Sequence, residues 1–459
     1  MYKVAIHIFR RDLRLFDNTA FIAATTRSEK VLPCFFLDPR QLENNPYRSE
    51  SAVLFMRQSL EELDEELKRL GGRLFLFAGE VESLLASIVR EASAQAVFFN
   101  RDYTPFSKRR DQRIVEICKS EGIAVESYPD ALLSEPGDVL KQDGQPYRIF
   151  TPFYKAASRL NVPAPQEFER VSLFASQIDG EVAGSFKAIV VAHNPRLACI
   201  GGRSNGLKQL DLASKLLNYA EDRNIPAVHG TSLLSPHNKF GTLSIREVNL
   251  SLARAFGRDA QIVRELYWRD FFTHIAAHFP HIFKGAFNPQ YDQIEWDQED
   301  ARFSAWCAGE TGFPLVDAGM RELNETGFMH NRLRMVTASF LVKDLHISWQ
   351  SGERYFARKL IDYDPSVNNG NWQWAASTGC DAQPYFRIFN PWLQQKKFDK
   401  DCLYIKRWIP ALRPLSPSEI HKLQLGAQSV IGYPNPIVDH ATQKEKTEAI
   451  FHKALGRIS

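Results

Sequence analysis

Cysteine is scarce in this chain of 459 residues, and the six present (Cys34, Cys118, Cys199, Cys307, Cys380 and Cys402) are scattered, with no C-x-x-C pair and no close grouping with histidine. That pattern argues against iron–sulfur clusters, metal centres and a disulfide framework, and makes a reducing, cytoplasmic setting the expectation. No apolar run is long enough to span a bilayer, so no membrane is expected. The N-terminal Met1–Asp12 stretch is a short apolar run followed by charge. Excess charge is lacking too: 57 basic residues against 54 acidic leave a formal charge of +3, which says almost nothing about nucleic acid. No G-x-G-x-x-G follows any strand-like run, so a dinucleotide in the N-terminal half is not supported. Internal repeats and low-complexity tracts are absent.

What is there divides in two. At this length a single hydrophobic core is exceeded and two domains with a linker are expected. Val4 to Phe9, Val31 to Leu37, Leu74 to Phe77, Ala96 to Phe99 and Ala124 to Tyr128 are strand-like. Between two of them Val53, Met56, Leu60, Leu63, Leu67 and Leu70 recur at three- and four-residue steps, ending at Gly71-Gly72, which predicts one helix face. Strands alternating with helices predict a doubly wound parallel α/β sheet over 1–130. Pro-, Gly- and Ser-containing stretches such as Ser134-Glu135-Pro136-Gly137 and Val162-Pro163-Ala164-Pro165 mark 131–206 as a long surface linker. Beyond Leu207 the period is 3.6 nearly throughout, which predicts an all-helical domain over 207–459.

The helical half concentrates distinctive residues between Thr311 and Asn390. It contains Thr311-Gly312-Phe313-Pro314-Leu315-Val316-Asp317, then Met329-His330-Asn331-Arg332-Leu333-Arg334-Met335, Asp362-Tyr363-Asp364, and Asn368-Asn369-Gly370-Asn371-Trp372-Gln373-Trp374. Glu265 and Trp268 are spaced i, i+3, and Asn331 and Met335 i, i+4, so each pair shares a helix face. Trp372 and Trp374 point about 200° apart on a helix and cannot face the same neighbour. From Tyr385 to Arg413 seven basic residues (Arg387, Lys396, Lys397, Lys400, Lys406, Arg407, Arg413) stand against Asp399 and Asp401, an aromatic-flanked face that can meet phosphate. A helical domain without a Gly-rich fingerprint must hold a phosphate-bearing cofactor by another device, and Gly230-Thr231-Ser232-Leu233-Leu234-Ser235-Pro236 has the form of a Ser/Thr-rich helix start.

Together these strings resemble the DNA photolyase and cryptochrome family, and Met329 to Met335 looks most like the members that repair cyclobutane pyrimidine dimers. The resemblance implies FAD in the helical domain. Its diphosphate would lie on Thr231, Ser232, Leu233, Leu234 and Ser235 with Tyr219 nearby, and Arg334 would pair with Asp362. The Asp362-Tyr363-Asp364 turn would reach the ribityl or ribose hydroxyls, and Asn368 would face flavin N5, where an amide can donate or accept. Leu233, where many members have Arg, and His237-Asn238 depart from the family pattern. Trp372, Trp349 and Trp296 would form an electron-transfer chain from flavin to surface. Glu265, Trp268, Asn331, Met335 and Trp374 would line a pocket for a flipped-out dimer, with Arg223, Arg332, Arg387 and Lys396 on the DNA.

The activity implied is light-driven splitting of cyclobutane dimers in ultraviolet-damaged DNA by a monomeric lyase. A (6-4) photoproduct enzyme would be expected to carry a histidine pair in place of Asn331 and Met335. The alternatives are a cryptochrome-type blue-light receptor without repair and a DNA-binding protein with a vestigial flavin; retention of the lesion-pocket and tryptophan residues counts against both. The family often holds a second, antenna chromophore. Asn100 to Asp111 resembles the corresponding segment, but Phe106 and Ser107 stand where folate binders can carry Asn and Glu, so a deazaflavin, another flavin, a differently seated folate or none stays open. Arg10, Arg11 and Asp12 are candidates for that pocket.

Overall fold

The structure is a computed structural model, and it describes all residues except 44, 170–171, 183–185, 187–188, 426–429 and 457–459. Five parallel strands, β1 (Tyr2–Phe9), β2 (Ser28–Leu37), β3 (Phe75–Ala78), β4 (Ala96–Asn100) and β5 (Ala124–Tyr128), form one sheet in the order β3-β2-β1-β4-β5. In the centre Ile6 lies opposite Leu32 and Val97. Helices cover both faces, which is why the central strands read as unbroken apolar runs instead of alternating. The helix predicted between two strands is Glu50–Arg69, capped by the Ser49 side chain; it buries Val53, Leu60, Leu63 and Leu67 against the sheet. Leu70 falls outside its face, at the C-cap and 39% exposed, because Gly71 takes φ +84 and turns the chain away.

The stretch after β5 touches both halves. Helix Phe150–Ala157 packs on helix Gln261–His278, while Leu173 and Glu181 bridge to Val31 of β2 and Phe77 of β3. Every longer element after Arg203 is helical. Two glycines set the spacing of the helices that matter for the site. A Cβ on Gly352, in helix Trp349–Lys359, would lie 2.2 Å from Trp372 Cη2, and one on Gly370, in helix Pro365–Ala376, would lie 2.2 Å from Phe272 Cδ1. Those absent side chains let the Trp349, Pro365 and Gln261 helices nest closely enough to bury Trp372.

The two halves are clamped by buried charge. Asp130 receives Arg14 at 2.7 Å and Arg246 at 2.9 Å, and Arg246 also reaches Asp17 at 2.8 Å. Two arginines between two carboxylates satisfy the condition under which buried ions are tolerated. Gly241, φ +63, permits a backbone approach so close that a Cβ there would meet the Arg11 carbonyl oxygen at 2.2 Å. The end of β1 is thereby pressed against the helical half.

Candidate active site

Helices Gln261–His278, Asn331–Lys343 and Pro365–Ala376 enclose a cavity of about 420 Å³ with the 232–239 segment and the Asp362–Asp364 turn. Its wall includes Tyr219, Arg223, Ser232, Leu234, Ser235, Glu265, Trp268, Asn331, Arg334 and Met335. Asp362, Tyr363, Asp364, Asn368, Trp372 and Trp374 line it as well. Residues spread over more than 150 positions thus converge because i, i+3 and i, i+4 spacings put each group on one inward helix face.

Charged groups of the cavity wall are fixed in pairs. Arg334 donates from Nη1 and Nη2 to Asp362 at 3.2 and 2.9 Å and from Nε to the Met329 carbonyl at 2.8 Å. Ser235 Oγ donates to the same Asp362 at 2.6 Å. Asp364 lines the cavity too, but both its oxygens are engaged: Oδ1 accepts from the Ser366 and Val367 amides at 2.9 and 3.1 Å, capping helix Pro365–Ala376, and Oδ2 pairs with Arg11. Burial pushes that carboxyl up, but Arg11 and Arg269 beside it prevail and hold it at about 2. Asn368 gives its amide N–H to Glu353 Oε1 at 2.9 Å and to the Glu353 carbonyl at 3.2 Å. Burial pushes Glu353 up to about 7, against the pull of that hydrogen bond.

Aromatic rings and amides make up another part of the wall. Trp268 stacks at 3.6 Å between ring centroids, 8° from parallel, on Phe150. One of its faces is therefore covered. Glu265 accepts from Arg223 Nη1 and from Gln261 Nε2, each at 2.6 Å. His330 is a helix cap, its Nδ1 accepting from the Arg332 amide at 3.1 Å. Burial first, then neighbouring arginines, lower its pKa to about 4, so it stands as a neutral structural residue.

Several expected residues lie off this wall. Thr231 and Leu233 do not line the cavity; Leu233, φ +50, packs against the hydrophobic cluster of the α/β half. Arg332 donates to Asn224 Oδ1 at 2.5 Å and lies 4.3 Å over the Phe398 ring, while Arg387 and Lys396 are exposed on the outside. Trp372 is buried in the wall, with Phe356 and Trp306 edge-on at 4.9 and 6.2 Å. Trp349 is buried in the same core cluster, and Trp296 is half-buried beneath Phe451 of the last helix, centroids 6.5 Å apart.

Sequence reasoning missed Asn238, Lys239, Arg269 and Asn371, which line the cavity, and Glu353 behind Asn368. Asn238 was legible only as part of the His237-Asn238 departure from the family string, and Lys239 gave no signal. The buried Asn238 Oδ1 has no hydrogen-bond partner in the protein, and a buried polar atom so placed calls for a ligand donor. With Ser232, Ser235, the free end of Asn368 and apolar Phe356, Leu360 and Val367, the lining suits a flat ring system carrying polar and phosphate groups.

A second cavity, of about 710 Å³, opens at the carboxyl ends of β1, β2 and β4, where the strand order reverses. Arg10, Arg11, Asp38, Arg40, Tyr47 and Phe106 are among its lining residues, and Asp12 is not; its carboxylate accepts from Asn100 Nδ2 at 2.6 Å. Arg10 bonds Asp111 at 2.8 Å yet leaves a buried Nη2 without a partner.

Comparison with known proteins agrees with this geometry. Residues 5–169 match the family model for DNA photolyase, and residues 262–453 match the one for the FAD binding domain of DNA photolyase. A deoxyribodipyrimidine photo-lyase of Synechococcus sp. is 35% identical, the match covering 98% of this chain and 96% of that protein. An archaeal photolyase from Sulfolobus tokodaii, solved with two FAD molecules, superposes with a TM-score of 0.90 at 42% identity over 98% of this chain and 100% of its own. The cryptochrome of Synechocystis sp. has the same TM-score, 0.90, at 29% identity, over 98% of this chain and 99% of its own. The chain belongs to the DNA photolyase family.

Proposed function

We infer that this protein is a light-driven, FAD-containing lyase that splits cyclobutane pyrimidine dimers in DNA. The observation that carries the reading is a single cavity that gathers two kinds of group: the Arg334–Asp362 pair with Asn368 and Asn238, and Glu265, Trp268, Asn331, Met335 and Trp374. When bound and reduced, FAD supplies on blue or near-ultraviolet excitation the electron that opens the cyclobutane ring, and takes it back afterwards. The protein's own residues hold the two reactants in contact. Asn368, its N–H spent on Glu353, would offer its carbonyl to a bound flavin and would suit an N–H at N5.

A dimer inside the duplex is out of reach and must be flipped out, which costs least where stacking is already disturbed. Trp374 and Trp268 would stack on it, each worth roughly 1–3 kcal/mol. Glu265 would accept from the imide edge, Asn331 and Met335 would touch the rings, and exposed Arg387 and Lys396, with Arg332, would hold phosphates. Trp372, Trp349 and Trp296 would carry electrons from the surface. Residues 1–130 would form an antenna domain, 131–206 the connector and 207–459 the FAD and DNA domain. The α/β cavity, with its arginines and aromatic rings, would hold a second chromophore bearing phosphate. We place the protein in a reducing, cytoplasmic setting, in which its scattered cysteines would stay thiols. A blue-light receptor shares this fold, but it has no need of the lesion-facing side.

Light-dependent restoration of ultraviolet-damaged oligonucleotide by purified, chemically reduced protein, with a dark control and separate substrates for the two lesion types, tests the reading. Splitting of cyclobutane dimers only in the light is expected. A flavin-loaded protein that turns over neither lesion would overturn it in favour of the receptor.

A further inference from the structure

The two cavities share a partition. Lys239 and Tyr363 line both of them, and Arg11, on the α/β side, pairs with Asp364, on the helical side. The partition is braced from within: Arg11 Nε donates to the Lys239 carbonyl at 3.1 Å, Arg11 Nη1 stands 3.6 Å from Asp102, and Tyr363 stacks on Tyr47 with centroids 6.1 Å apart. Asp364 caps the helix that carries Asn368, Trp372 and Trp374. Lys239 follows Ser235 by one helical turn on the flavin side and faces the arginine-rich cavity on the other.

We propose that the two cavities are thermodynamically linked through Lys239, so that a phosphate-bearing ligand in the α/β cavity and the flavin in the helical cavity each tighten the other's binding. The inference rests on the flavin reading of the helical cavity. That the α/β ligand carries negative charge follows from the buried, unpartnered Nη2 of Arg10; Arg40 and Arg110 also line the cavity, the first held by Asp38, Glu80 and Glu82 and the second by Asp111.

The origin of the coupling is one ammonium shared by two anions. Desolvation, and then Arg11, lower Lys239 to about 7, while Asp364, Asp102 and Asp362 pull the other way. Arg269, facing Asp364 and Arg11, and Arg334, on Asp362, complete the charges around it. Above that pH the first anion to bind must bring a proton onto the lysine, and the second finds the charge already in place. Below it the lysine is charged from the outset and the linkage fades, leaving only mutual repulsion of the anions.

The test measures release of FAD from the flavin-loaded protein by rapid filtration, with FMN as the probe for the α/β cavity and chromatography to separate the two flavins. At a pH of about 8.5 saturating FMN is expected to slow FAD release at least about fivefold, and at a pH of about 6 to have little effect. Lys239→Arg, permanently charged and conservative in length, is expected to bind both flavins and lose the linkage at both pH values; Lys239→Met should lose it as well. FAD release that ignores bound FMN, FMN that fails to bind, or linkage that persists in Lys239→Arg would each overturn the proposal. A protein that retains no FAD at all would overturn the flavin reading together with it.

Discussion

Around the helical cavity the polar side chains come from packed helices and brace one another: Arg334 on Asp362, Arg223 on Glu265, Asn368 on Glu353. Around the α/β cavity they come from strand ends and the helices that follow them, Arg10 and Arg11 after β1, Asp38 and Arg40 after β2, Asp102 to Arg110 after β4, and although Arg10 pairs with Asp111 and Arg40 with Asp38, a buried Arg10 nitrogen has no protein partner. A constellation held on helices by mutual hydrogen bonds keeps its geometry to a fraction of an ångström, as electron transfer to a lesion demands. A cavity at strand ends with an unused donor can accept a ligand without taking part in chemistry. The contrast supports the proposal that the reaction belongs to one cavity and a supporting ligand to the other.

The largest expected effect that would break this contrast comes from Arg334→Met. It strands the Asp362 carboxylate, only 4% exposed, without its cation, and loss of one partner of a buried pair costs on the order of 3 kcal/mol. FAD affinity should fall about a hundredfold by equilibrium dialysis, while FMN binding in the α/β cavity survives. Trp374→Ala comes next. Loss of one stacking surface should weaken binding of dimer-containing DNA by roughly 1–3 kcal/mol in a filter or anisotropy titration, with FAD retained; unchanged lesion affinity would remove Trp374 from the pocket.

Glu353→Gln sharpens the comparison through pH. The folded Glu353 holds its proton up to about 7 whereas an unperturbed glutamate sheds it near 4.5, so the native state binds more protons between those values and stability must fall as pH rises through that window. The Gln variant should flatten that decline in thermal melts at the two ends of the window while keeping the acceptor for Asn368. The smallest effect is expected from Phe106→Ala, which removes the ring under Arg40. A cation–π contact of this kind is worth about 0.5–1 kcal/mol. FMN affinity should drop a few-fold with no change in repair by directly excited, pre-reduced protein.

Legibility in the sequence followed the same division. The α/β and helical halves were readable because burial on both faces gives the strands unbroken apolar runs and the helices a 3.6 period. The helical cavity was readable because Asn331 and Met335, or Glu265 and Trp268, share helix faces. Glu353 was not, since its role depends on the close approach that Gly352 permits and on the pairing with Asn368, neither of which has a sequence period. Asn238 looked like part of a departure from a familiar string and Lys239 carried no signal at all; the meaning of that segment appears only where Lys239 meets both cavities. Leu233 illustrates the converse: its place in the string suggested a cofactor contact, but a left-handed backbone turns it into the neighbouring core.

The most direct test of the central claim, that flavin and lesion occupy facing sides of one cavity, is the fluorescence lifetime of the reduced, FAD-loaded protein with and without dimer-containing DNA. Binding of the damaged strand should shorten the lifetime, and an undamaged strand of the same sequence should leave it unchanged. A lifetime that stays constant while the lesion is demonstrably bound would place the two reactants apart and contradict the account.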